Sequence, residues 1–330
     1  MASMTLNRKI REKLKKNELI FNTWKKFYNR KLEKIEKKKF DGEYKFINRS
    51  NNSENLCIVL AGYKELIWDD VFTRLEKYAP KDLDICIMSS GKYSDKLNEM
   101  CEKNNWSYLS LKENSVTLIQ NIAINLYPNA KYIYKMDEDI FLTKGFFENL
   151  KETFLRVEKE TRFKISFVAP LIPINGYTYI KILEKTNLIE DFDSKFGKAM
   201  YDATPGEKII ENPEIAQYLW RNTQDKLKDI DKLSEEFSKN EFEYSICPIR
   251  YSIGAIMFPR ETWERMGKFQ VLKGTNLGAD EVQLCSYGSS ESRIIVVSHN
   301  NVVGHFGYGP QSKAMNEYYN KNREQFKLKI

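Results

Sequence analysis

Asp137 and Asp139 stand one residue apart in KYIYKMDEDIFL, residues 131–142. The run before them is apolar and aromatic enough for a buried strand, and alternate side chains of a strand share a face, so both carboxylates would point one way and Glu138 the other. A carboxylate at the end of a buried strand has to be paired or metal-bound, because an isolated charge is costly to take out of water. Two carboxylates on one face suit a hard divalent cation, which in turn binds diphosphate oxygens. The plainer alternative is a pair of solvated charges at a strand end. On either reading Glu138 faces away, toward a lysine.

Other residues could contribute chemistry nearby. AGYK (61–64) and SSGK (89–92) each follow an apolar run. Tyr63 offers a stacking face, Ser89 and Ser90 offer hydroxyls, and Lys64 and Lys92 could approach phosphates. GADEVQL places Asp280 and Glu281 where a helix opens, and an Asp at the N-cap with a Glu in the first turn is a sufficient local reason for both. The two histidines are His299 and His305. A histidine near strands is more often a hydrogen-bonded structural residue than a ligand. His305, flanked by Gly304 and Gly307, allows the closer backbone approach, and His299 reads as structural.

The elements that would position these residues follow from hydrophobic periodicity. LCIVLAGY, LDICIMSSG, WSYLSL and KYIYKMDEDIFL read as four buried strands. Between them lie helical stretches from Glu65 to Tyr78 (stopped by Pro80), over SDKLNEMCEKNN, and over SVTLIQNIAINLYPNA. Such alternation predicts right-handed crossovers and a mostly parallel sheet. Ligands of these sheets bind outside the carboxyl ends of the strands, where residues 61–64, 89–92 and 137–139 would all emerge. Residues 41–55 read as a polar linker and 175–245 as helices and loops forming a partner-binding insertion. YSIGAIMFPRETWERMGKF returns to strand then helix, RIIVVSHNNVVGHFGYGP is strand-rich, and the C-terminus is helical.

Composition narrows the class. The chain has 330 residues, 42% of them hydrophobic, and a net charge of +7. Fourteen Lys or Arg against four Glu in residues 1–40 concentrate the positive charge there, so the remainder is net negative. A body of that sign does not favour nucleic acid as a partner. Residues 1–40 carry Ile10, Leu14, Ile20, Trp24, Phe27, Leu32 and Ile35 between lysines, a basic amphipathic helix broken near Asn17. It reads either as a helix lying on an anionic membrane surface or as a solvated helix packed on its own domain or a partner chain. With no secretory signal and no bilayer-spanning run, the expected location is cytoplasmic, with a peripheral place at the inner face of the plasma membrane on the first of these readings. Cys57, Cys86, Cys101, Cys247 and Cys285 form no CxxC pair and read as reduced packing residues.

With these residues in view, the chain resembles the GT-A fold glycosyltransferases, an α/β family with a Rossmann-like, mostly parallel central sheet flanked by helices. The resemblance rests on Asp137-Glu138-Asp139 after its strand, the helix QNIAINLYPNA before it, SIGAIMFPRETWERMGKF, GADEVQL and VVGHFGYG. It implies a nucleoside diphosphate sugar as donor, Mn2+ or Mg2+ as cofactor, and a glycan or lipid-linked oligosaccharide as acceptor. It also implies metal contacts from Asp137, Asp139 and His305, with Asp139 the more direct and Asp137 meeting ribose or metal. The nucleotide would meet Ala61, Gly62, Tyr63, Ser89 and Ser90, and a general base would be Asp280 or Glu281. SSGK departs from the family, in which an acidic residue often follows the second strand. The implied organisation is a basic extension over 1–50, then a catalytic domain over 51–330 with a nucleotide-sugar half (56–145), an acceptor half (146–310) and a C-terminal helix. The implied activity is an inverting transfer in bacterial surface polysaccharide synthesis. Its competitors are a sugar nucleotidyltransferase, against which LAGYKELIW lacks a Gly-rich loop, and a non-catalytic glycan-binding protein on the same fold.

Overall fold

The apolar runs that alternate with amphipathic stretches are the strands of one twisted sheet, seen in a computed structural model that describes residues 18–221 and 226–329. Contacts divide the chain at Asp41/Gly42 into two units. The first contains helix α1 (Glu18–Lys38), with Trp24 stacked on Tyr28 and Phe27 exposed. The break expected near Asn17 lies outside the described residues.

The second unit begins earlier than residue 51. Part of the supposed linker is strand β1 (Tyr44–Ile47), which pairs antiparallel with β4 (Ser107–Leu111). Strands β2 (Asn55–Leu60), β3 (Leu83–Ser90), β4 and β5 (Tyr132–Asp137) are mutually parallel. They are joined by α2 (Trp68–Tyr78), α3 (Asp95–Lys103) and α4 (Val116–Leu126). The Ser94 hydroxyl caps α3 by accepting from Leu97 N, and in α4 nearly every side chain is buried. Burial all round, rather than an apolar stripe, places α4 between the sheet and other structure.

Sheet order is β1-β4-β3-β2-β5-β9-β7-β10-β8. The additional strands are β7 (Lys164–Leu171), β8 (Tyr244–Cys247), β9 (Ala255–Pro259) and β10 (Arg293–Val302). Six of these nine strands run the same way, and β1, β8 and β9 run against them. The mostly parallel α/β expectation holds, with β9 inserted antiparallel beside β5. Chain order reverses between β2 and β5: from β2 the chain moves outward through β3 and β4, then returns to the other side of β2. In sheets of this kind such a reversal marks the ligand crevice, here beyond the carboxyl ends of β2 and β5. Leu60 pairs with Asp137 there.

The stretch 175–245 does not stand apart. Its helices α6 (Thr178–Lys185), α7 (Ile189–Phe196), α8 (Lys208–Glu211), α9 (Pro213–Trp220) and α10 (Ile230–Ser238) follow α5 (Phe146–Glu160) and β7 and pack on the same body. Arg74 of α2 is fully buried and grips Asp231 of α10 through both terminal nitrogens, at 2.7 and 2.8 Å. Trp220 of α9 stacks among Phe141 and Phe326. The helices of this stretch bury most of their apolar side chains within the chain itself, while Met200 and Tyr201 stay exposed. The remaining helices are α11 (Arg260–Arg265), α12 (Ala279–Ser290), α13 (Ser312–Lys321) and α14 (Arg323–Phe326). All five cysteines are free and buried, and burial pushes the Cys86 thiol up to about 12. Among the described residues no helix is long and apolar enough to cross a membrane.

Candidate functional site

Three chain segments converge on the crevice. From β2 come Ala61 to Lys64. Ala61 is buried and prolongs the sheet through Ala61 N to Met88 O at 2.8 Å. Gly62 has φ of +147°, which favours glycine, and a Cβ there would stand 3.1 Å from Lys92 Cε. The segment is fixed by Glu138. Its buried carboxylate accepts from Gly62 N at 2.8 Å, Tyr63 N at 3.0 Å and Trp68 Nε1 at 2.6 Å. Glu138 therefore meets backbone amides and an indole rather than a lysine, because the loop after β2 folds back over the end of β5.

Asp137 is the last residue of β5 and Asp139 lies in the turn that follows, so the triplet is not one extended strand as its sequence suggests. Asp137 N donates to Gly254 O at 2.8 Å, and its Oδ1 accepts from Lys135 Nζ at 2.7 Å. Burial raises the Asp137 carboxyl above its ordinary value, against the pull of Lys135. Lys135 is itself buried and also donates to Ile253 O at 2.8 Å. Asp139 is 3% exposed and forms an ion pair with Lys64 Nζ. Burial would raise this carboxyl, but Lys64 and His305 outweigh it and hold the group well below the usual aspartate range.

The third segment is brought in by a two-residue antiparallel ladder. Strand β6 (Ile140–Phe141) pairs with β11 (Gly304–His305), and Phe306 N donates to Asp139 O at 3.0 Å. A side chain at Gly304 would collide with the Trp220 ring 2.4 Å away, so glycine is what lets β11 reach β6. His305 Nδ1 lies 2.8 Å from Ile174 O; a carbonyl can only accept, so Nδ1 donates there and Nε2 is the nitrogen turned toward Asp139. Nε2 is 3.3 Å from Asp139 Oδ2. His299 is elsewhere, between Ser245 and Glu243 at the β8 edge.

These donors fit a divalent cation in part. Two ligands adjacent on an octahedral ion, each bound at about 2.1 Å, are separated by about 3 Å, close to the Asp139–His305 spacing, and the carbonyl behind Nδ1 orients the ring as a ligand. Among the described residues no three His, Cys, Asp or Glu side chains converge as a ligand set. Asp137, expected as a third ligand, is turned to Lys135 by the ion pair between them.

Opposite, α12 supplies Asp280 and Glu281. Its N-cap is Gly278, so neither acid is the cap; both lie in the first turn. Asp280 is buried and accepts from Gln120 Nε2 at 2.8 Å. Glu281 is paired with Arg250, and its side chain is 14% exposed. Burial raises the Glu281 carboxyl, Arg250 pulls it down, and Asp280 raises it further, leaving it above the ordinary value. Tyr308 bridges the two sides: it packs edge-on against His305 at 5.0 Å, donates to Ser252 Oγ at 3.0 Å, and feels the charges of both Glu281 and Asp139. Lys135 likewise feels Asp137, Asp280 and Glu281.

Ser89 and Ser90 do not present free hydroxyls. Ser89 Oγ donates to Lys92 O at 2.8 Å and meets Tyr108 OH at 2.7 Å, whereas Ser90 Oγ donates to Glu113 O and accepts from Ser115 N at 2.6 Å. They brace the loops instead. Tyr63 is exposed, with its OH donating to Ser90 O and Lys92 Nζ 4.6 Å from the ring centre. Lys135, Arg250, Gln120, Ser252 and Tyr308 escape sequence reading. Only Lys135 leaves a trace there, as a lysine inside an apolar strand.

The chain matches no protein-family model and none of the curated proteins. Among solved structures it is similar to the mannosyltransferase PcManGT from Pyrobaculum calidifontis in complex with GDP-Man and Mn2+, with 12% identity, a TM-score of 0.44, and coverage of 82% of this chain and 62% of that one. It is also similar to GalNAc-T7 with UDP, GalNAc and Mn2+, with 12% identity, a TM-score of 0.44, and coverage of 79% and 45%. The chain spans less than two thirds of either. Likeness this distant carries no weight for individual residues.

Proposed function

We propose that this protein is a GT-A-type glycosyltransferase that moves a sugar from a nucleoside diphosphate donor to a hydroxyl of a glycan or lipid-linked oligosaccharide acceptor, with inversion. The observation that carries the reading is the pairing of Asp139 with His305 at 3.3 Å in the switch-point crevice, facing Glu281 across Tyr308.

The donor enters over residues 61–64, where Tyr63 offers its ring and Lys64 and Lys92 offer positive charge to the diphosphate. Asp139 and His305 would hold the divalent cation, with diphosphate oxygens completing its shell; Asp137 would join by way of ribose or water. When bound, the cation supplies Lewis-acid stabilisation of the leaving diphosphate. Glu281 takes the proton of the acceptor hydroxyl as that oxygen attacks the anomeric carbon. Its raised proton affinity makes it a better base than an ordinary glutamate, and Arg250 aims it. Asp280, held by Gln120, positions the turn that carries Glu281. The basic helix ahead of the domain fits a substrate presented at an anionic membrane, as in bacterial surface polysaccharide synthesis.

The test is a panel of nucleotide sugars incubated with Mn2+ and acceptor glycans, measuring nucleoside diphosphate release. Wild-type protein should release diphosphate from at least one donor and Asp139→Asn should not. Silence across the panel would refute the reading, and pyrophosphate formed from a nucleoside triphosphate and a sugar phosphate would replace it with nucleotidyl transfer.

A further inference from the structure

Every carboxylate of the crevice already has a partner from the chain itself. Asp137 has Lys135 at 2.7 Å, Asp139 has Lys64, Glu281 has Arg250, and Asp280 has the Gln120 amide at 2.8 Å. The partners differ in one respect. The Lys135 side chain is 4% exposed and locked inside β5, whereas that of Lys64 is 30% exposed, with Nζ shared between Asp139 and Gly307 O at 3.3 Å. Lys64 can leave and Lys135 cannot. The backbone beneath Lys64 is fixed, because Glu138 holds the amides of Gly62 and Tyr63. The middle acid of the Asp-Glu-Asp triplet thus aims a lysine at the last.

We infer that Lys64 is an internal competitor of the divalent cation: its ammonium pairs with Asp139 and has to give up that carboxylate for a metal ion to reach it. The inference rests on the metal-assisted transferase reading and adds a residue that sets metal affinity. Two cations on one buried carboxylate repel each other, so the free energy of breaking the Lys64 pair is subtracted from that of metal binding. Released from Asp139, the ammonium would be free to pair with a diphosphate, because Lys64 belongs to the 61–64 segment assigned to the donor. Lys64 would therefore weaken metal binding to the free protein and strengthen it once a nucleoside diphosphate draws the ammonium away, which makes the two ligands cooperative.

The experiment is calorimetric titration of the full chain with Mn2+ alone, with wild type, Lys64→Met and Lys64→Arg compared, alongside melting temperatures with and without Mn2+. Lys64→Met should bind Mn2+ at least about tenfold more tightly than wild type, and Lys64→Arg should stay as weak as wild type. Lys64→Met leaves the buried Asp139 carboxylate with His305 but without its lysine, so it should melt earlier without metal and gain more from Mn2+ than wild type does. Asp139→Asn should remove the response in either background. Binding by Lys64→Met no tighter than wild type, or no Mn2+-dependent gain in its melting temperature, overturns the competition. If wild type still releases nucleoside diphosphate from a donor, the transferase reading survives that result; if no variant does, the reading itself has failed.

Discussion

Glu138 is the most exposed to test of the three triplet acids, because its three hydrogen bonds predict a large effect where a solvated charge predicts none. Its carboxylate is 7% exposed and receives Gly62 N, Tyr63 N and Trp68 Nε1 at 2.8, 3.0 and 2.6 Å. A glutamine in the same rotamer can put its amide oxygen where Oε2 now accepts from Gly62 and Trp68. Its NH2 then stands where Tyr63 N–H now finds Oε1, leaving that amide only its 3.1 Å branch to the Oε2 position. The shorter Tyr63 branch is lost, an amide faces that donor, and the bonds that remain lose their charge assistance, each bond to a charged group being worth about 1.5–3 kcal/mol. Glu138→Gln should therefore cost about 3 kcal/mol, and Glu138→Ala, which strands all three donors, about 5 kcal/mol. At about 2 °C per kcal/mol for a domain of this size, the melting temperature should fall by about 6 and 10 °C. Circular dichroism melts measure the loss, and titration with a nucleoside diphosphate should show weakened binding as the 61–64 segment loosens. A Glu138→Gln protein that melts within about 1 °C of wild type and binds nucleotide unchanged would refute the assigned role.

Two further perturbations report on the facing groups. Glu281→Gln should lower kcat by about 10² to 10⁴ with little change in donor KM. In wild type the rate should fall with acid as Glu281 takes up its proton, at a pH above the ordinary glutamate value of 4.5, and the variant should lack that limb. Asp139 binds its proton less readily folded than unfolded, so its contribution to stability is in place above the ordinary value of 3.8 and is lost as pH falls toward the depressed folded value. Asp139→Asn should flatten this part of the acid unfolding curve, which urea midpoints between pH 6 and pH 2.5 would show.

What could be read in the sequence divides along a physical line. Strands β2 to β5 and helices α2 to α4 were legible because each is a local pattern: an apolar run of strand length, an amphipathic stretch, a Pro stop. Strand β1 hides in a polar segment, since an edge strand of four residues needs no apolar run; its pairing with β4 supplies the hydrogen bonds. The position of Asp137, Asp139 and the AGYK loop at one edge followed from the parallel rhythm alone. Their partners did not. Lys135 with Asp137, Glu281 with Arg250 and Asp139 with Lys64 are ion pairs between residues whose separations in sequence range from two to seventy-five. The strand period puts Lys135 on the face of Asp137, but no period or spacing encodes the two longer-range pairs, which the folding of loops over the sheet edge brings together.

The same distinction explains why Glu138 and Lys64 read as separate features in the sequence. β5 ends at Asp137 and the chain turns at Glu138 and Asp139, so strand alternation does not set their directions, and the side that Glu138 faces is not solvent. The reversal of strand order puts β2 beside β5, and Leu60 opposite Asp137 delivers the 61–64 backbone onto the Glu138 carboxylate. That anchoring sends the Lys64 side chain back across to Asp139. A strand end that looks overcharged in isolation is, in the folded chain, an acid that holds a loop and an acid that receives the lysine from that loop. Charge reversal at Lys64 should consequently be far more disruptive than its removal: Lys64→Glu would place a second carboxylate against the buried Asp139, and the pair could persist only with one proton or one cation between them.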